Sequence, residues 1–354
     1  FVGFGSSHGA LRYAAIEKEN VEKQKIIAYS FSYGLIFNIL LSLIMLVLAF
    51  VIFGNGNQLL IVSLFMIRLF GVFLIDQAKS EVRGFHNNKK FGQIEIYSNI
   101  LLLVSAVFSA YFFGVKGYIF SLCLSPFVVL FFHRFRISFD RTQFKNFTEK
   151  SFWKFCVTMA FTNQVSELIF LLDVFFIGIF LDNSAVAHYR IYSIIPFNLF
   201  FLAALFFQTA YPKLCENHQN NQYQLQFLFN FWKLMVPITI LIFAVSYFGA
   251  EYILTLFGND YAQNSMIFLI LIGASISVLL LRTPFGYLLA SKGKSSYNLM
   301  AASISIITLL VLIKPTISNF GIEGVAWLSL VNLFFIGIFQ MISYFYLVYR
   351  APKL

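Results

Sequence analysis

The chain has 354 residues and a formal net charge of +10, with 59% hydrophobic and only 11% charged residues; its mean hydropathy is +0.79. No water-soluble core uses so much apolar surface, which argues against a globular enzyme and against a nucleic-acid-binding domain with a contiguous basic face. Three scattered cysteines, Cys123, Cys156 and Cys215, make neither a disulfide framework nor a zinc site.

A spanning helix takes about 20 mostly apolar residues. Residues 1–10 read as the cytoplasmic end of a helix whose remainder precedes residue 1, so that roughly one and a half helices are expected upstream. Ten apolar runs then follow at 26–53, 58–78, 93–113, 117–133, 157–181, 185–208, 227–249, 263–289, 296–314 and 321–348. In lipid every backbone polar group must be satisfied internally, by helices or by a closed barrel. Continuous runs of this length, rather than ten-residue alternating ones, predict helices. The expected fold is an all-α integral membrane bundle with two six-helix lobes in parallel repeat. The first lobe takes residues 1–137, a cytoplasmic linker 138–150, and the second lobe 151–354.

The basic residues mark the seams. Nineteen Lys and Arg fall in every second gap, in clusters such as Arg12–Lys25, Lys79–Lys90, Arg134–Lys154 and Lys292–Lys294; the alternate gaps hold only Lys116 and Lys314. Lys and Arg bias short loops to the cytoplasmic side, so these loops and the C-terminus are expected inside. The positive charge is therefore topology.

Two segments repeat. Gly114-Val-Lys-Gly117 opens the sixth helix of the expected twelve, and Gly321-Ile-Glu-Gly324 opens the twelfth, 207 residues on. Two halves with an even number of spans keep one orientation, a parallel repeat about the membrane normal.

Ionisable residues at membrane depth are costly and become functional candidates. Arg68 lies midway along its run, and Asp76 follows two turns later. Asn163, Gln164 and Glu167 sit at helical neighbour spacing, with Asp173 six residues beyond. Arg190 lies near the outer end of its span and Arg282 toward the inner end of another, where each can also reach headgroups. For Arg68, Glu167 and Asp173 the alternative is a structural ion pair or interhelical hydrogen bond. The five histidines show no metal spacing. Gly3-Phe-Gly5-Ser-Ser-His-Gly9 follows no strand and is discounted as a phosphate loop. The sequon Asn146-Phe-Thr148 falls on the cytoplasmic side.

Several motifs carry a family resemblance. Asp173-Val-Phe-Phe-Ile-Gly-Ile-Phe-Leu181, a short turn, then Val186-Ala-His-Tyr189 resembles the seventh-to-eighth helix hairpin of O-antigen (Wzx-type) flippases. These belong to the multidrug/oligosaccharidyl-lipid/polysaccharide (MOP) exporter superfamily. Tyr211-Pro-Lys-Leu214, Leu256-Phe-Gly-Asn-Asp-Tyr261, Arg12-Tyr-Ala-Ala and the two Gly-x-x-Gly openings look like family markers at matching places, and the likeness covers essentially the whole chain. Ala187 departs from it, standing where a Gly before the Tyr is common.

The resemblance implies a bacterial inner-membrane protein that flips undecaprenyl-pyrophosphate-linked oligosaccharide repeat units outward by alternating access, for O-antigen or capsule. Arg68, Arg190 and Arg282 would then bind the anionic substrate, since a guanidinium makes bidentate contacts to phosphate. Glu167, Asp173 and Asp76 would couple the cycle to H⁺ or Na⁺; no other cofactor, no metal site and no enzymatic step are expected. The partners implied are the lipid-linked oligosaccharide, membrane lipids, and a complex with a polysaccharide polymerase and chain-length regulator. Two alternatives stand beside this: a drug/cation antiporter of the same superfamily, and a membrane-embedded O-antigen polymerase or ligase. The latter would be expected to carry a long charged outer loop, which the sequence lacks.

Overall fold

The computed structural model describes residues 2–54, 56–139, 147–262 and 264–350. The core of the expected linker, including Arg141, Lys145 and Asn146 of the sequon, lies outside the described residues. Among the described residues every regular element is helical. After a short turn at Val2–Gly5 come α1 (Ser6–Ile16), α2 (Asn20–Phe53), α3 (Asn57–Gly84), α4 (Asn88–Leu124), a 3₁₀ segment (Ser125–Val128) and α5 (Val129–Phe132). Then follow α6 (Glu149–Phe180), α7 (Asn183–Asn198), α8 (Phe200–Glu216), α9 (Asn221–Thr255), α10 (Asn259–Ala262), α11 (Ser265–Ser277), a π-turn (Val278–Arg282), α12 (Thr283–Ser291) and α13 (Ser295–Arg350).

Among the described residues eight helical stretches are long and apolar enough to cross a membrane, and the two longest, 88–132 and 295–349, each hold two traverses. Each folds back at one glycine. Gly114 has φ 61°, ψ −146° and Gly321 has φ 57°, ψ −144°, a region essentially closed to residues with a Cβ. The reversals are visible in hydrogen bonds between the arms: Ser121 Oγ donates to Ser105 O at 3.0 Å, and Asn332 Nδ2 to Ser305 O at 3.2 Å. Three residues after each turn a second glycine lets the returning helix touch its partner. A Cβ on Gly117 would lie 2.2 Å from Ser109 O, and one on Gly324 would lie 2.9 Å from Thr316 O. The residues met, Ser109 and Thr316, again differ by 207. The repeat is thus one of conformation and contact as well as of letters, and the ten traverses match the ten runs.

Helix starts carry their own signals. The side chains of Asn87, Asp182 and Asn220 each accept from the backbone N–H three residues on, at 3.0, 2.7 and 2.9 Å, satisfying donors left open at helix N-termini. Gly54, at φ 61°, closes α2.

The chain divides into two compact units, Phe1–Ala160 and Phe161–Leu354, the division falling inside α6. It falls there because the first turns of α6 belong to the core of the first unit: Phe152, Phe155 and Cys156 cluster with Tyr13, Ile26 and Tyr29, and Trp153 Nε1 donates to Tyr29 Oη at 2.9 Å. Gly5 and Gly9, from the discounted loop motif, are small where α1 meets Cys156. In this unit Lys79 and Glu95 form an ion pair at 2.5 Å, and His133 Nε2 lies 3.0 Å from Glu81 Oε2. In the second unit a core of Ile177, Tyr189, Phe268, Leu271 and Val325 joins α6, α7, α11 and the second arm of α13. Large side chains such as Phe131 (86% exposed) and Phe248 (87%) lie on the outside, a cost in water that vanishes against lipid tails.

Candidate functional site

Asp173 is the most enclosed acid of the second unit, at 1% exposure. It lies on α6, one to two turns before the helix ends at Phe180. Its Oδ2 accepts from Ser329 Oγ at 2.6 Å and from Tyr189 Oη at 3.3 Å, and the two hydroxyls are themselves 3.3 Å apart. The α6–α7 turn, capped by Asp182, sets Tyr189 opposite Asp173 sixteen residues away. Ser329 arrives from the arm of α13 that returns after Gly321. Oδ1 has no hydrogen-bond partner among the described residues. A carboxylate oxygen held without a donor in an apolar core is costly, and a proton or a small cation is what would neutralise it.

Arg282 closes the π-turn that precedes Thr283-Pro284. Pro284 has no N–H for the carbonyl of Leu280 four residues earlier, and Trp232 Nε1 takes that place, donating to Leu280 O at 2.9 Å. The widened turn delivers the Arg282 guanidinium over the Phe170 ring, 5.6 Å from its centroid. Glu167, one turn before Phe170 on α6, is near enough to act on it electrostatically. Among the described residues no carboxylate lies within ion-pair distance of Arg282 or Arg190, so these two cations are not neutralised by contact. Arg190 is exposed and neighbours Tyr189.

In the first unit, Arg68 makes an interhelical hydrogen bond, one of the two roles the sequence leaves open for it. Its Nη1 donates to Leu122 O at 2.5 Å. Leu122 is four residues before Pro126, so its carbonyl lacks the helical donor, and Arg68 on α3 caps it from the neighbouring helix. Among the described residues no acid pairs with Arg68. Asp76, two turns on, stands apart from it among charged groups, with Lys79, Arg83 and Glu95 around it.

Of the six sequence candidates, the second unit brings together Arg282 and Glu167, and puts Arg190 beside the Asp173–Tyr189 pair. The first unit keeps Arg68 and Asp76 in separate surroundings. Sequence reasoning missed Ser329, Trp232 and Leu122 as partners. The prolines at 126 and 284 were the available signals for the last two; nothing marks Ser329.

Lys292, in the loop between α12 and α13, ties that loop to the start of α9 and the turn before it, donating to Asn221 Oδ1 at 2.6 Å and His218 O at 3.1 Å. Burial pushes its ammonium below the ordinary lysine range.

No family model matches this sequence, and no curated protein does. Solved structures do match. A MOP superfamily transporter from Pyrococcus furiosus superposes with a TM-score of 0.79 at 13% identity, over 100% of this chain and 84% of that one. The MATE transporter VcmN of Vibrio cholerae in its bent form gives 0.71 at 15% identity, over 98% and 84%. The lipid II flippase MurJ in an inward closed conformation gives 0.66 at 16% identity, over 97% and 77%. The chain therefore has the multi-pass helical fold of MOP superfamily transporters.

Proposed function

We propose that the chain is an exporter of the oligosaccharide-flippase kind, moving lipid-pyrophosphate-linked oligosaccharide units from the cytoplasmic to the outer leaflet of a bacterial inner membrane by alternating access. The observation that carries this reading is Arg282. It is a guanidinium at membrane depth, presented by a π-turn beside an aromatic ring, with no contacting carboxylate among the described residues. An uncompensated cation in a span is costly, about 2.5–3.5 kcal/mol even on insertion scales, unless it meets water or an anion. A pyrophosphate supplies the anion, and the lipid tail stays in the bilayer while the sugar crosses. Arg190, also without a contacting carboxylate, extends the same preference. One structural neighbour is itself described by a binding pocket of reversed polarity that suggests a different function, so pocket charge is a reasonable discriminator within the fold.

Asp173 is the proposed coupling residue: its open Oδ1 takes up H⁺ or Na⁺, in exchange for which the Tyr189 and Ser329 bonds rearrange. The C-terminus and the Lys-bearing loops lie inside on this reading, and the two units are the two lobes of the transporter. The drug/cation antiporter is the second reading, favoured by the same enclosed acid.

The test is complementation. In a host lacking its own flippase and making the cognate repeat unit, the full-length protein restores surface polysaccharide, and Arg282→Ala at normal abundance does not. Export of cationic dyes that depends on Asp173 but is indifferent to Arg282 would transfer the assignment to the antiporter.

A further inference from the structure

One cavity has a chemistry distinct from that of the proposed transport site. It lies in the first unit, about 380 Å³ in volume, where α4 begins and α5 ends. Asn87, Lys89, Lys90 and Gln93 form one side; Tyr97 and Phe132 form the other, their rings stacked 5.2 Å apart at 25°. The residues at 90, 93 and 97 share one face of α4 by helical spacing, so the cavity is polar at the helix start and aromatic one to two turns deeper into the apolar stretch.

We propose that this cavity binds the headgroup of an anionic phospholipid. The charge argument is local. Neither lysine has a contacting carboxylate among the described residues, and no acid lines the cavity; in the same unit Glu81 meets His133 at 3.0 Å and Glu95 pairs with Lys79 at 2.5 Å. Two uncompensated ammonium groups beside the N-terminal turn of a long helix attract a phosphate. The apolar half commits the ligand to a lipid rather than a free phosphate. Beside and beyond Tyr97, the side chains of Ile96, Ile100, Leu103 and Val104 are 54–65% exposed along α4, a path for acyl chains below the headgroup. The inference rests on the Lys-bearing helix ends lying at a membrane surface. It requires no particular transported substrate, so its failure and that of the flippase reading are distinguishable.

The experiment is native mass spectrometry of the detergent-solubilised full chain titrated with phosphatidylglycerol, phosphatidylcholine or glycerol phosphate. The expected result is preferential retention of phosphatidylglycerol, with little of the other two. Lys89→Gln/Lys90→Gln weakens phosphatidylglycerol binding about thirtyfold, the loss of two lysine–headgroup attractions. The control Lys213→Gln/Lys294→Gln, with the same change of net charge, leaves it intact. Photoactivatable phosphatidylglycerol on the unmodified chain cross-links to the peptide containing Tyr97, a readout that needs no variant. Equal retention of phosphatidylglycerol and phosphatidylcholine, equal loss in the control variant, cross-links only elsewhere, or glycerol phosphate binding as tightly as the lipid would each overturn the proposal.

Discussion

Removing the Arg68 guanidinium should reveal what it holds. In Arg68→Ala, Leu122 O loses the Arg68 donor while Pro126 still denies it a helical one. A hydrogen bond to a charged group contributes about 1.5–3 kcal/mol in water-soluble proteins, whereas interhelical bonds in membranes average about 0.6 and reach about 1.7 kcal/mol. A guanidinium contact to a carbonyl freed by proline belongs at the upper end, about 1.5 kcal/mol. Pro126→Ala returns an N–H four residues after Leu122, so in that background Arg68→Ala should cost about 0.5 kcal/mol or less. The assay is unfolding of the purified full chain in mixed detergent–SDS micelles, run on both single variants and the double. The expected coupling is about 1 kcal/mol; additivity within about 0.3 kcal/mol would refute the carbonyl-capping account. Surface polysaccharide measured on the same variants separates a second role. Four other guanidinium N–H groups remain for a pyrophosphate. If they are used, export stays lost in the double variant although its stability recovers, and Arg68→Lys rescues export only in part, because a point charge does not replace a planar fork. Normal export by Arg68→Ala at normal abundance would remove Arg68 from the substrate path.

Three further outcomes follow from the geometry. Gly321→Ala and Gly114→Ala should each cost about 1–3 kcal/mol, since both turns use a conformation reserved for glycine; melting points unchanged from the native chain would contradict the shared hairpin. Asp173→Asn should leave the Ser329 bond available and the protein abundant but remove dependence of export on the ion gradient, whereas Ser329→Ala alone should weaken it; gradient-driven export by Asp173→Asn would exclude Asp173 as the coupling residue. Cysteines at Asn183 and Asn319 should react with an impermeant thiol reagent added outside intact cells, and those at Asn88 and Lys292 only after permeabilisation, by the distribution of basic loop residues; outside labelling of Lys292→Cys would invert the topology.

The spans were legible because hydrocarbon imposes one simple demand, an apolar run about 20 residues long with internal hydrogen bonds. The Gly-x-x-Gly pairs were legible for a similar reason: backbone conformation and close approach are local needs with a local residue signature. The site was legible only by half. Charge at depth singled out Asp173, Arg68 and Arg282, but their partners come from far along the chain: Ser329 is 156 residues from Asp173, and Leu122 is 54 from Arg68. A serine in an apolar helix or a carbonyl before a proline carries no label saying which helix packs opposite. The sequence-based boundary at residue 150 followed charge, while the compact units divide at residue 160 because the aromatic turns of α6 pack on Tyr13 and Tyr29. Charge reports where water is; packing decides which core a helix joins.

The most direct measurement is transbilayer movement in proteoliposomes containing the purified full-length protein and a fluorescent lipid-pyrophosphate oligosaccharide. Fluorescence of the inner-leaflet pool should become accessible to an external quencher when an ion gradient is applied, with Arg282→Ala reconstituted at equal density showing no more than protein-free vesicles. Equal rates for native protein and Arg282→Ala, or no movement of the lipid-linked sugar under conditions where a cationic drug is transported, would contradict the account.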